Sequence, residues 1–169
     1  MSLITPRLTL RPATLRDAPF FNALLNTPTW ITNIHDKGIR TDEAAAEYIE
    51  QGILRGYLEY GFGMYVMELT SGTPIGICGF VQRDYLPHPD LGFAILPDYE
   101  RQGYTYEAAR AMLDYGYRKL GFTKVLAITT EDNIGSRRLL EKLGMTYVGT
   151  IQPSGDDTVF WQYAHGGEK

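Results

Sequence analysis

The segment Asp90-Leu-Gly-Phe-Ala-Ile-Leu-Pro-Asp-Tyr-Glu-Arg-Gln-Gly-Tyr-Thr-Tyr-Glu-Ala-Ala-Arg110 holds residue types and spacings that can do chemistry. It reads as a short apolar strand over 90–96, stopped by Pro97, then a polar turn around Gly103, then the start of an amphipathic helix at Tyr104. A strand that feeds a glycine turn and a helix N-terminus makes an anion site. The first N–H groups of the helix have no intrahelical partner, and the helix dipole adds partial positive charge there. Arg101 in the turn adds a full charge. The chemistry predicted is the binding of a phosphorylated cofactor.

The same residues resemble the acyl-CoA-binding motif of the GNAT superfamily of N-acetyltransferases. The order is an acidic strand start (Asp90), Pro-x-Tyr (Pro97-Asp98-Tyr99), a turn over 100–105, and a Tyr-x-x-Glu-Ala helix (Tyr104 to Ala108). A second block, Asn133-Ile-Gly-Ser136 running on to Lys142-Leu-Gly144, resembles the family's Asn-x-x-Ser helix. The opening Thr5-Pro-Arg-Leu-Thr-Leu-Arg11-Pro resembles the RimJ/RimL branch, which acetylates protein N-termini. The turn departs from the family pattern: Glu100 stands where Gln or Arg is usual, Arg101 where Gly is common, and Thr105 where a smaller residue is usual.

The resemblance implies an α/β fold (mixed α+β): a central, mostly antiparallel sheet flanked by about four helices. That sheet is splayed between its fourth and fifth strands to hold acyl-CoA. It implies acetyl-CoA as acyl donor and an amine as acceptor. It assigns the cofactor to backbone at Phe93, Ala94 and Ile95, to Arg101, Gln102, Gly103, Tyr104, Thr105 and Tyr106, and to Asn133 and Ser136 near the sulfur. It gives Asp90 the role of base.

Acyl transfer from a thioester to an amine makes four demands. The amine must be neutral, the carbonyl oxygen needs a donor, the thiolate needs a proton or a donor, and the reactants must be held in line. Deprotonating a lysine ε-amine at neutral pH costs roughly 3.5 kcal/mol more than deprotonating an α-amine. One modest acid therefore suits an α-amine. Asp90 is the first candidate and Glu68 the second; a solvated turn acid is the other reading of Asp90. Ser136 is a candidate donor to the thiolate. Asn133 shares its helix face, and either residue can equally serve as an N-cap. No Tyr follows within the next few residues to act as acid. Lys142 is placed toward the nucleotide end or in solvent.

The elements that must position these groups follow from pattern. Residues 7–12 alternate as a strand. Thr14 with Asp17 is a capping box opening a helix to about Asn26. Residues 27–40, with Trp30 and His35, read as an acceptor-side loop without periodicity. Thr41 caps a second helix whose apolar stripe is Ala45, Ile49, Ile53 and Tyr57. Strands follow at 62–69, 75–84 and 90–96, the first two joined by a hairpin turn at Thr70-Ser-Gly-Thr-Pro74. A third helix spans about 104–120, ending at Gly121. A buried strand lies at 125–130, a fourth helix at 134–143, and strands at 145–151 and 159–164 close the fold as an antiparallel pair.

The bulk numbers fit one domain over 1–169 with an ordinary core: 44% hydrophobic and 21% charged residues. The net charge of −4 and scattered Lys and Arg argue against nucleic acid. Cys78 is the single cysteine, so no internal disulfide forms and a reducing, cytoplasmic setting is expected. No apolar run approaches the ~20 residues of a membrane span. His35, His88 and His165 lack metal-ligand spacing, so no metal is expected. The reading is an N-acetyltransferase working by direct attack in a ternary complex. A non-catalytic acyl-CoA-binding module and a pure interaction protein are the alternatives.

Overall fold

The computed structural model describes residues 1–166, so the last three residues of the expected single domain fall outside it. Eight strands form one sheet in the order β1-β2-β3-β4-β5-β6-β8-β7. They are β1 Leu3–Ile4, β2 Leu8–Pro12, β3 Met64–Leu69, β4 Pro74–Val81, β5 Asp90–Ile95, β6 Lys124–Thr130, β7 Thr146–Ile151 and β8 Phe160–Gly166. Every neighbouring pair is antiparallel except β5 and β6. The helices are α1 Ala18–Leu25, α2 Pro28–Asn33, α3 Asp42–Tyr48, α4 Arg55–Tyr60, α5 Tyr104–Arg118 and α6 Ile134–Lys142.

Two apolar clusters, one on each face of the sheet, fix the layers. Ala108, Ala109, Met112 and Leu113 of α5 and Leu140 of α6 pack on one face with Leu8, Leu10, Met67, Ile75 and Val125. Phe21, Leu24 and Leu25 of α1, Ala45 of α3 and Ile49 pack on the other with Val66 and Ile77. Alternation along β3 divides the faces: Met67 enters the first cluster and Val66 the second.

Besides the short added strand β1, two regions differ from the sequence reading. The segment 27–40 is not all loop. Thr27 accepts a hydrogen bond from the Trp30 N–H at 3.2 Å, and Pro28 fills the first position of α2. An N-cap followed by proline is a start signal, but a helix this short shows no periodicity to reveal it. Trp30 accordingly lies in the second core cluster rather than on an acceptor surface.

The second helix begins at Thr41, whose side chain accepts from the Ala44 N–H at 3.1 Å. It is not uniformly α. Between α3 and α4 the chain runs through a π stretch at Ile49–Leu54. The spacing explains it. Ala45, Ile49, Ile53 and Tyr57 stand four apart, so they drift around an α-helix of about 3.6 residues per turn. A wider π turn takes up that drift and keeps the stripe on the sheet. Tyr57 is held there by its hydroxyl, which accepts from the Ala13 N–H at 3.0 Å and donates to the Met64 carbonyl.

Candidate active site

The sheet opens where the sequence reading expected. β5 and β6 share a single register pair, Asp90 with Leu126. The Leu126 N–H donates to the Pro89 carbonyl at 2.9 Å, and beyond Asp90 the two strands have no further partners. A parallel pair that meets at one end only leaves a wedge between its strands.

The β5 backbone facing this wedge is set by alternation. The Leu96 N–H donates to the Ile75 carbonyl on the β4 side, at 2.8 Å. Peptide groups alternate in direction along a strand. Gly92 and Ala94 therefore turn to β4, while Phe93 and Ile95 point their N–H groups into the wedge. Of the three β5 positions expected to meet the cofactor, Phe93 and Ile95 supply free backbone donors. Ala94 does not, and its methyl packs in the second core cluster.

The chain leaves β5 through a short 3-10 turn at Pro97–Tyr99 and enters α5 at Tyr104. Arg101 and Gly103 both take left-handed backbone angles, with φ of 61° and 83°. Glycine adopts that region freely, whereas arginine there is strained. Gly103 is the N-cap of α5 and offers no side chain, so no side-chain bond closes the helix start. The first amide to find an acceptor is that of Glu107, bonded to the Gly103 carbonyl at 3.1 Å. The N–H groups of Arg101, Gln102, Gly103, Tyr104, Thr105 and Tyr106 donate to nothing among the described residues. They form a row of unpaired donors at a helix N-terminus, which suits an anion with several oxygens.

Side chains brace this row from two sides. Arg7 donates to the Gln102 carbonyl at 2.9 Å and to Glu107 at 3.0 Å, and its guanidinium lies 4.3 Å from the centre of the Tyr104 ring. Thr5 donates to Glu107 at 2.7 Å. Burial pushes the Glu107 carboxyl up, but the hydrogen bonds from Thr5 and Arg7 outweigh it and hold the group below its usual range. From the other side the Lys142 ammonium stands 4.3 Å over the Tyr106 ring, so the end of α6 meets the start of α5. Sequence reasoning missed the role of Arg7. Its only signal was its place in the opening motif.

At the closed end of the wedge sits Asp90, only 2% exposed. Its Oδ2 accepts from Arg83 Nε at 2.6 Å, and its Oδ1 has no hydrogen-bond partner. Burial lifts its pKa to about 6, against the pull of the Arg83 guanidinium and of the Ile128 N–H of β6 beside the carboxyl. The structure thus replaces a solvated turn acid with a buried one. Glu68, the other candidate, is committed elsewhere. It accepts from Arg11 Nε at 2.7 Å, and Arg11 also grips Asp17 with both terminal nitrogens at 2.7 and 2.9 Å. Strand β4 stands between Glu68 and β5.

Asn133 is the N-cap of α6, accepting from the Ser136 N–H at 3.3 Å. The Ser136 hydroxyl makes no hydrogen bond among the described residues and is half-buried. So the cap reading belongs to Asn133, and Ser136 keeps a free donor at the start of α6. Cys78 is fully buried in β4, and burial pushes its thiol up to about 12, which suits a core residue. His165 is tied to the Tyr117 hydroxyl at 2.8 Å, and burial, with Arg110 nearby, lowers its pKa. Among the described residues no cluster of His, Cys, Asp and Glu is arranged to hold a metal, and no helix is long and apolar enough to cross a membrane.

Comparison with known proteins bears on the family and the fold. The family profile described as an acetyltransferase (GNAT) domain matches residues 7–146. YkkB of Bacillus subtilis is 32% identical over 154 residues, covering 89% of this chain and 88% of its own length. The N-acetyltransferase YoaA of the same organism is 32% identical over 151 residues, covering 89% and 85%. Among solved structures, an acetyltransferase from Agrobacterium tumefaciens superposes with a TM-score of 0.82 at 25% identity, over 99% of this chain and 95% of that one. RimL, a ribosomal L7/L12 α-N-protein acetyltransferase solved with coenzyme A, has a TM-score of 0.82 at 17% identity, over 97% and 96%, and so shares the fold.

Proposed function

Because the chain belongs to the GNAT acetyltransferase family, we propose that it transfers an acetyl group from acetyl-CoA to a primary amine, by direct attack in a ternary complex. The observation that carries this reading is the row of six unpaired amides from Arg101 to Tyr106, continuous with the free edge of β5. When bound, acetyl-CoA supplies an acetyl thioester and a pyrophosphate. The residues present fit both parts. The amides of 101–106 and the dipole of α5 hold the pyrophosphate, and Lys142 adds a cation beside them.

Phe93 and Ile95 aim backbone donors at the pantetheine arm and at the carbonyl oxygen on which charge builds. Asp90 takes the amine proton at its Oδ1, which is sealed from solvent, so the proton passes to it through a relay rather than by direct contact with the amine. A pKa near 6 leaves Asp90 mostly ionised at neutral pH yet basic enough to accept a proton in transit. As the amine nitrogen bonds the acyl carbon, the carbon–sulfur bond breaks, and the Ser136 hydroxyl donates to the departing thiolate. Cys78 is too deep to form a covalent intermediate. With a single modest base, the site suits an α-amine better than a lysine ε-amine.

The decisive experiment is a thiol-release assay with acetyl-CoA and a panel of amines. Release that depends on the amine, with the acetylated amine found by mass spectrometry, is expected. Tight acetyl-CoA binding with no transfer to any amine would leave a non-catalytic acyl-CoA-binding module instead.

A further inference from the structure

The Arg83–Asp90 pair is oriented in an informative way. Asp90 occupies Nε of the guanidinium, at 2.6 Å. Neither terminal nitrogen of Arg83 has a close hydrogen bond to a described residue, although the Tyr85 hydroxyl lies near the guanidinium, and Asp90 is the only carboxylate among the described residues that pairs with it. Arg83 is about one-third exposed while Asp90 is 2% exposed. The buried acid thus pins the guanidinium by one edge and leaves the two-nitrogen fork open. Such a fork is shaped for two parallel hydrogen bonds to a carboxylate.

The surroundings add positive charge. Lys37, exposed on the chain between α2 and α3, has no acid within ion-pair distance among the described residues, and partial desolvation and the nearby Arg83 charge lower its pKa. Tyr48, at the end of α3, also feels the Arg83 charge. It lines a groove with Gly52, Ile53, Met64, Val81 and Gln82, next to Arg83 in sequence. Two cations, Arg83 and Lys37, stand near the one buried acid; of the acids next to them in sequence, Asp36 is held by Arg40 at 2.8 Å and Asp84 makes no ion pair among the described residues. The corner sits where β5 and β6 begin to part, beside the proposed base.

Resting on the acetyltransferase reading, we infer that the acceptor amine carries a carboxylate close to its nitrogen, and that the Arg83 fork binds it, with Lys37 as the second cation. A polyamine is the wrong substrate for this corner, because its charges repel both side chains. A free α-amino acid and a peptide with an acidic second residue present the same chemistry.

The test compares matched acceptors by kcat/KM: a free amino acid against its methyl ester, and a dipeptide amide ending in Asp against one ending in Asn. The ester's amine is the less basic, so nucleophile supply alone favours the ester. The free carboxylate should nevertheless win by about tenfold or more in at least one pair, the value of a charged hydrogen-bond pair. The winning pair identifies the source as amino acid or acidic peptide. Arg83→Lys keeps a cation beside Asp90 but removes the fork, and should shrink that preference about tenfold. Binding of the acetylated products, followed by NMR with coenzyme A present, gives the same comparison without turnover. Equal treatment of the charged and neutral members of both pairs, in turnover and in product binding, overturns the inference while leaving acetyl transfer standing. Absence of acetyl-CoA binding and of all transfer would instead remove the reading beneath it.

Discussion

The turn at 100–106 and the corner at Arg83 and Asp90 lie at opposite ends of one wedge, and they are made of different material. The turn presents backbone: six amides freed by left-handed angles at Arg101 and Gly103. The corner presents side chains: a buried carboxylate, a pinned guanidinium and a nearby lysine. Backbone donors do not depend on residue identity, provided the turn keeps its shape. That is how the turn can carry Glu100, Arg101 and Thr105 in place of the family's usual residues and still keep the unpaired amides on which the proposed anion site rests. The corner has no such tolerance, since one substitution changes its charge. The common end should therefore be robust to side-chain changes and fragile to backbone changes, and the acceptor end the reverse.

The largest effect tests the backbone end. Gly103→Pro replaces a residue at φ 83° with one fixed near −65° and removes an N–H. Acetyl-CoA affinity should fall by about a hundredfold or more in a variant that remains folded by circular dichroism, since the variant loses a cradle of charge-assisted bonds. Unchanged affinity by calorimetry would break the comparison at its stronger side.

A change of charge at the corner comes next. With its pKa near 6, Asp90 should give kcat a rising limb near pH 6 that Asp90→Asn lacks, with acetyl-CoA affinity retained. The loss at pH 7 should be about tenfold to a hundredfold and should narrow at high pH, where the amine is already neutral. The same group acts on stability with a definite sign. Its folded pKa lies above the unfolded value of about 3.9, so the folded chain holds a proton that the unfolded chain loses between about pH 4 and 6. Its contribution to stability is therefore present below about pH 4 and lost as the pH rises to about 6. Melting curves across that window should be flatter for Asp90→Asn.

Asn133 and Ser136 sharpen the contrast within one helix turn. Ser136→Ala should lower kcat several-fold with little change in Tm. Asn133→Ala removes a cap and should cost about 1 kcal/mol of stability. If the two variants exchange these signatures, Asn133 faces the sulfur and Ser136 is the cap. The smallest effect belongs to Thr27→Ala, which uncaps α2. It should raise the acceptor KM modestly, leave acetyl-CoA affinity unchanged and cost about 1 kcal/mol or less.

What could be read from the sequence follows the same division. The strand, turn and helix of the proposed cofactor end were legible because their signals are local: Pro97 stops a strand, Gly103 permits a turn, and Tyr104 to Arg110 repeats at helical spacing. Its free β5 edge was not, because which amides go unpaired depends on where β6 diverges, a fact of long-range register. Asp90 was placed correctly at a strand start, but its burial and its pairing with Arg83 come from tertiary packing. The segment 27–40, expected to line the acceptor side, was the least legible. α2 is too short to show periodicity, and it carried Trp30 into the core rather than the cleft. The strict spacing of four from Ala45 to Tyr57 did hold a signal for the π stretch, since on an α-helix those positions drift steadily, by about 40° per step.

The most direct measurement is an amide-resolved NMR titration of the chain with acetyl-CoA. Saturable shifts should concentrate at the amides of residues 101–106 and of Phe93 and Ile95, with the Ala94 amide, bonded toward β4, moving far less. Saturable binding whose shifts fall elsewhere, or no binding at all, would contradict a cofactor site built from the turn and the free edge of β5.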